Sequence, residues 1–382
     1  MDFSLTEDQK MITETVTSFV KKESPVERMR GLRDDERGWD PKVWAQMGEL
    51  GWLSIPFPES VGGFGGSMVD VGLILEQLGT TLVPEPYIAS VVLGGMAVLH
   101  AGTPGQQERV LTPMIGGETS LALAYAERQS RYDLNDCVTK AEEDGGGWRL
   151  TGEKVFVLNG QAADTLVVSA RVAGDSRDAD GIRLFLVDPK AEGVRVQNVK
   201  TMDGGRAATI TMEGAQGAEL LGDANAEALP ILEHVLDKGA AAACAEGLGV
   251  ISAVHAMTVE YLKTRKQFGV PIGVFQALQH RSVDMFVQVE LCRGTAILAT
   301  AKADETDAAE RQRAISIAKA QLSQGGFFVV AEGTQLHGGI GVTDEHDMSL
   351  YFKKLRVLTS LFGDEDHHVE RFMTLPSFTA GM

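Results

Sequence analysis

The stretch GGGWRLTGEKVFVLNG, residues 145–160, decides the architecture, because it is the clearest departure from a helical pattern in the first half of the chain. β-Branched and aromatic residues crowd it, and glycine bounds it at both ends. Three further runs share the texture: DTLVVSARV (164–172), GIRLFLVD (181–188) and AATITM (207–212), each bounded by glycine or aspartate turns. Residues 119–225 are therefore expected to form a small all-β domain.

Outward from this region the pattern becomes helical on both sides. Toward the N-terminus, Thr6 with Gln9 reads as a capping box, and Met11, Ile12, Val16, Phe19 and Val20 recur at helical spacing. Helical patterns run to about residue 115, broken by SIPFPESVGGFGGS (54–67), whose prolines and glycines forbid regular structure. Residues 1–118 are expected to be an N-terminal helical domain. Beyond residue 225, LPILEHVLDKGAAAACAEGLGVISAVHAMTVEYLKTR carries an apolar stripe of period 3.6, as do residues 275–302 and 309–335. Residues 226–382 are expected to be a C-terminal helical bundle. Strands and helices that do not alternate favour separate domains, a mixed α and β architecture, over one doubly wound sheet.

Composition narrows the function. A net charge of −18 argues against nucleic acid as a partner, since a phosphate backbone would be repelled. A polyanionic ligand must then meet a local basic pocket or helix N-termini. The cysteines, Cys137, Cys244 and Cys292, are odd in number and far apart, so they give neither a disulfide framework nor a CxxC metal pair. The first residues lack the basic-then-apolar order of a signal peptide, and no apolar run approaches the ~18 residues of a membrane span. A cytoplasmic protein without a membrane span is the expectation.

Two long motifs carry the most information: TRKQFGVPIGVFQALQH (264–280) and QLHGGIGVTDEHDMSLYFKKLRV (335–357). A helix end followed by a Gly269–Pro271 turn accounts for the backbone of the first, but not for Arg265, Phe268 and Gln276 together, nor for Gln279 beside His280. Taken together, the two motifs closely resemble the acyl-CoA dehydrogenase family. LGWLSIPFPESVGGFGGS (50–67) and GEKVFVLNG (152–160) add to the resemblance, which covers nearly the whole chain. It implies an N-terminal helical domain, a central β-barrel-like domain and a C-terminal four-helix bundle forming the core of a tetramer. It also implies FAD, an acyl-CoA substrate, α,β-desaturation, and electron transfer to an electron-transferring flavoprotein.

In that chemistry a carboxylate removes the α-proton, flavin N5 accepts the β-hydrogen as hydride, and donors stabilise the thioester oxygen. The resemblance assigns Arg265 to the FAD diphosphate, which its planar charged fork suits, and Phe268 to an apolar face of the cofactor. It adds Gln276, Gln335, Gly338 and Gly339 as cofactor contacts, with Gly341 completing a turn that admits a phosphate close to the backbone.

The chain departs from the family where the chemistry should be. The usual glutamate base falls on Phe362, followed by Gly363 and Asp364. The alternative helical base falls on Gly239, and its neighbouring arginine on Ala240. Glu246 remains, about two turns further along that face, in a segment of small apolar residues. It reads either as a poorly solvated base or as a glutamate facing solvent or paired with an arginine. The flavin-contacting loop becomes AYAERQSRYDLND (124–136), and the threonine that reaches flavin N5 becomes Leu158.

In TSLFGDEDHH (359–368), consecutive side chains on a helix diverge by about 100°, which does not build a metal cage. Asp364 instead caps a last helix whose positive end Glu365 and Asp366 complement, and it is a second base candidate. The resemblance implies that the ring side of each FAD is held by one subunit while the arginine-phenylalanine and glutamine-glycine motifs reach a neighbour's FAD, so the chain keeps what it would lend and lacks much of what it would use. This pattern resembles the small subunit of two-gene, pimeloyl-CoA-type dehydrogenases, with a second acyl-CoA dehydrogenase-like subunit as partner. A complete homotetramer using Glu246 or Asp364, and a non-catalytic scaffold that binds acyl-CoA or a partner, are the competing readings.

Overall fold

A computed structural model describes residues 4–145, 147–223 and 226–376. The chain packs as two units: Met1–Gly31, Ser67–Val83 and Ala240–Met382 form one, and Leu32–Gly66 with Pro84–Gly239 form the other. The expected boundaries at 118 and 225 follow changes of element type, whereas this grouping follows contact.

The first unit is helical. Its opening helix, Glu7–Glu23, has the predicted cap: the Thr6 hydroxyl accepts from Gln9 N–H at 3.2 Å, and the Gln9 side chain accepts from Thr6 N–H at 3.1 Å. Four helices make the expected bundle: Leu229–Thr264, Gln276–Lys302, a composite of Ala308–Gln321, a π-helical Leu322–Gly326 and Phe327–His337, and Met348–Ser360. Val254, Met285, Val289, Val329, Val330 and Leu355 are buried. A further helix, Met68–Thr80, lies directly on the backbone of Leu229–Thr264. A Cβ added at Gly249 would sit 1.9 Å from Glu76 O, and one at Gly79 would sit 2.2 Å from Glu246 O, so glycine is required at both positions.

Leu229–Thr264 corrects one expectation. With 36 residues and a mean hydropathy of 1.4 over 18 of them, it is long and apolar enough to cross a membrane. However, 72% of that window is buried inside the protein, as in the core helix of a bundle.

The second unit holds the sheet. Its strands are β1 (Leu121–Ala124), β2 (Lys140–Asp144), β3 (Gly147–Leu158), β4 (Thr165–Arg171), β5 (Ile182–Val187), β6 (Val194–Lys200) and β7 (Arg206–Leu220). Pairing runs β2–β3–β7–β5–β4 and back to β2, which closes a barrel, with β1 beside β4 and β6 beside β7. The β-barrel-like domain predicted from sequence is thus present. Leu150, Leu166, Val168, Phe185, Val187 and Ile210 fill its interior. A bulge in β3 between Lys154 and Val157 breaks the register with β7, and Phe156 there takes a left-handed backbone.

Candidate active site

In the helical unit, the first motif begins where Leu229–Thr264 ends. Arg265 N–H still donates to Tyr261 O at 2.8 Å, after which a short hairpin pairs Lys266 with Pro271 and Gln267 with Val270. Phe268 and Gly269 form its corner with φ of +55° and +83°. Such a two-residue turn needs left-handed backbone at both positions, which glycine adopts freely and phenylalanine only under strain. The Phe268 ring is nevertheless 90% exposed, edge-on to Phe275 at 6.0 Å. Arg265 is also exposed and makes no ion pair or side-chain hydrogen bond among the described residues. Gln276 starts the next helix and faces solvent.

The second motif closes helix Phe327–His337. Gly338 turns left-handed at φ +64° and donates its N–H to Gln335 O. A Cβ at Gly338 or Gly339 would meet nothing within 4 Å, whereas one at Gly341 would lie 2.6 Å from Thr334 O. Gly341 is therefore needed by the chain's own packing, and Gly338 and Gly339 face open space. Gln335 is exposed beside them. The two motifs are drawn together by Tyr261 stacked on His337, with ring centroids 4.4 Å apart, and by an ion pair between Arg281 and Glu332. An unengaged guanidinium, an exposed aromatic ring and an open glycine turn fit the diphosphate and apolar surfaces of a dinucleotide such as FAD.

The loop at 361–364 has the opposite character. Lys319 is fully buried, and its Nζ donates to Leu358 O at 2.8 Å, Thr359 O at 3.2 Å and Leu361 O at 2.7 Å. Burial pushes this amine down to about 8, against the opposing influence of Cys244 and Asp364. His368 Nε2–H donates to Phe362 O at 3.1 Å, and its Nδ1 lies 3.3 Å from the Ser316 hydroxyl. Burial, reinforced by the Arg371 and Lys319 charges, holds the ring at about 2. Phe362 is left-handed at φ +60°, and a Cβ on Gly363 would meet His367 Cδ2 at 2.5 Å and His368 Nε2 at 2.6 Å. Asp364 accepts from His367 N–H at 3.0 Å and caps helix Glu365–Thr374 as the sequence predicts.

Glu246, the other candidate base, is 5% exposed and forms an ion pair with Lys354 Nζ at 2.6 Å. It is a paired side chain, with a lysine where the sequence suggested an arginine. Neither carboxylate singled out from sequence is free of a structural task.

In the barrel unit, the altered loop 124–136 is organised by a side chain that sequence reasoning passed over. Lys154 on β3 points inward, fully buried, and its Nζ contacts Glu127 at 2.7 Å, Ser169 Oγ at 3.0 Å and Tyr125 O at 3.2 Å. Glu127 also accepts from Thr139 N–H at 3.1 Å, Val138 N–H at 2.9 Å and Gln129 Nε2–H at 2.8 Å. Burial pushes the Glu127 carboxyl up, but the Lys154 charge and these hydrogen bonds outweigh it and bring it down to about 2. Within the bulge, Phe156 is exposed on strained backbone, and Leu158 ends the strand without a hydroxyl. Phe156 was legible in KVFVLNG as an aromatic before an Asn-Gly turn; Lys154 carried no signal, because lysine in a strand reads as outward-facing.

Residues 6–118, 122–214 and 229–373 match, in turn, the N-terminal, middle and C-terminal domains described for acyl-CoA dehydrogenase. The chain is similar to IpdE2, an acyl-CoA dehydrogenase of Mycolicibacterium smegmatis: 30% identical over 368 residues, covering 96% of this chain and 98% of that protein. It is 29% identical to the probable acyl-CoA dehydrogenase YngJ of Bacillus subtilis, over 98% of each. Among solved structures, the ChsE4-ChsE5 complex from Mycobacterium tuberculosis superimposes with a TM-score of 0.86 at 28% identity, over 97% of each chain.

Proposed function

The chain belongs to the acyl-CoA dehydrogenase family of FAD-dependent oxidoreductases, and from that premise we propose that it is one subunit of a heteromeric enzyme that desaturates a CoA thioester at the α,β position. The partner, a second acyl-CoA dehydrogenase-like chain, supplies the base and the contacts to the flavin ring. One observation carries this reading: Glu246 and Asp364 are engaged in the chain's own structure, while Arg265, Phe268, Gln276, Gln335, Gly338 and Gly339 all face outward. A subunit that grips a cofactor belonging largely to its neighbour needs the second set and can dispense with the first.

When bound, FAD takes the β-hydrogen as hydride. This chain's part is to hold it: Arg265 offsets the diphosphate charge, the backbone at Gly338 and Gly339 admits a phosphate, and Phe268 covers an apolar face. Helix Gln276–Lys302 supports assembly, since Val283, Phe286, Val287 and Leu291 form an exposed stripe at helical spacing that another chain would cover, as in a tetramer core. The ChsE4-ChsE5 structure, described as a complex, supports the two-chain reading. An electron-transferring flavoprotein would be the electron acceptor, and the cytoplasm the compartment. The acidic balance of the chain fits a role without nucleic acid.

Expression alone and with a second acyl-CoA dehydrogenase chain tests the proposal. Alone, the chain should be colourless; with its partner it should copurify as a yellow complex that acyl-CoA bleaches. A yellow protein from the chain alone, bleached by acyl-CoA, would overturn the proposal in favour of a complete homomeric enzyme.

A further inference from the structure

Between the two outward-facing motifs lies a buried group with no assigned task. His337 is 3% exposed, its Nδ1–H donates to Gly333 O at 2.7 Å, and its Nε2 has no hydrogen-bond partner among the described residues. Tyr261 lies against one side of the ring at 4.4 Å, 28° from parallel, and His346 approaches at 4.8 Å, tilted by 56°. Tyr261 is the residue whose carbonyl receives Arg265 N–H, and His337 is followed directly by Gly338. The ring contact therefore joins the helical turn that leads into Arg265 to the residue that directly precedes the Gly338–Gly339 turn.

We propose that Tyr261 and His337 are positioning residues, a strut that sets the spacing between Arg265 and the Gly338–Gly339 turn, and that it holds only while His337 is neutral. This rests on the functional reading above for its cofactor consequence, though not for the strut itself. The ionisable groups around His337 on each packed element are few. Tyr261 comes from the long helix and His346 from the following loop; Glu332, on the same helix as His337, is paired with Arg281, and Asp347, next to His346, is paired with Arg30. Among the described residues no carboxylate hydrogen-bonds or ion-pairs with the His337 ring. Burial lowers the ring's pKa, His346 lowers it further, and the Gly333 hydrogen bond opposes both. The neutral form is favoured in the folded state, so the strut is intact above the ordinary value of 6.5 and weakens as the pH falls below it.

Hydrogen exchange of the full-length chain reads the strut without cofactor. His337→Ala and Tyr261→Ala should each accelerate exchange about tenfold in both 266–275 and 338–343 at neutral pH, with the bundle helices still protected. The parent should show the same paired acceleration between pH 6.5 and about pH 5, after correction for intrinsic rates, and His337→Phe, which keeps an aromatic plate without a titratable nitrogen, should abolish that acid response. Acceleration in only one segment, or an acid response that survives in His337→Phe, would overturn the proposal. FAD retention by the copurified complex separates the two readings. Loss of FAD in Arg265→Ala but not in His337→Ala sinks the strut's cofactor role alone. Retention in Arg265→Ala sinks the functional reading and leaves hydrogen exchange to judge the strut.

Discussion

Two sets of segments divide the molecule by the direction in which their functional groups point. At 265–276 and 335–339 the charged, aromatic and glycine positions face outward, and Arg265 makes no ion pair or side-chain hydrogen bond among the described residues. At 124–136 and 361–364 the loops are held by side chains that reach in from elsewhere: Lys154 engages the buried Glu127 in one unit, and Lys319 and His368 take up loop carbonyls in the other. Outward groups contribute little to the stability of the chain that carries them. Inward ones support its fold and leave nothing for a substrate. If, as proposed, a partner supplies the ring-side chemistry, the contrast teaches that the loops which would otherwise carry it keep internal partners of their own.

The sharpest way to break the contrast is Lys154→Met. Removing one partner of a buried ion pair strands the Glu127 carboxylate, and the barrel unit should lose about 3–5 kcal/mol in a denaturant titration. An unchanged midpoint would mean that loop 124–136 is held by something else. Next in size, and affecting binding instead of folding, is Arg265→Ala. Loss of a charge-assisted grip on a diphosphate should weaken FAD retention in the copurified complex by about 10–100-fold, with no shift in the melting temperature of the chain alone.

Smallest is an acid response on the inward side. His368 is held at about 2 when folded against 6.5 unfolded, so above pH 6.5 both states are neutral and its contribution is complete. Below 6.5 the unfolded chain binds a proton that the folded chain refuses, and stability should fall by about 2 kcal/mol by about pH 5. Melting temperature against pH, parent beside His368→Gln, checks it: parallel curves would refute the assignment. Glu127 acts lower on the scale, since its folded value of about 2 against 4.5 matters only as the pH falls below 4.5.

What could be read from the sequence followed from periodicity and local chemistry. The Thr6 cap, the bundle helices, the Asp364 cap and strands β3, β4, β5 and β7 are all local patterns. Strands β1, β2 and β6 were not visible. LALA is short and wholly buried, KAEED carries charge on every residue but one, and VRVQNVK alternates only weakly. The two glycine motifs were legible as candidates, but the separation of Gly341 from Gly338 and Gly339 was not, because it depends on which neighbour each would strike. Internally partnered lysines were the main blind spot. The buried Lys154 and Lys319 and the half-buried Lys354 each meet a partner far along the chain, and no local rule distinguishes them from surface cations.

The π-helical turn at Leu322–Gly326 has a mechanical consequence. Widening one turn adds a residue without ending the helix, so everything after it is rotated by about 100° relative to an unbroken α-helix. The stretch before it presents Lys319 to the carbonyls at the end of Met348–Ser360, and the stretch after it presents His337 to Tyr261. The wide turn acts as a clutch between two gears, letting one rod mesh with different neighbours along its length, and excising a single residue from it would disengage the far end while leaving the near end in mesh.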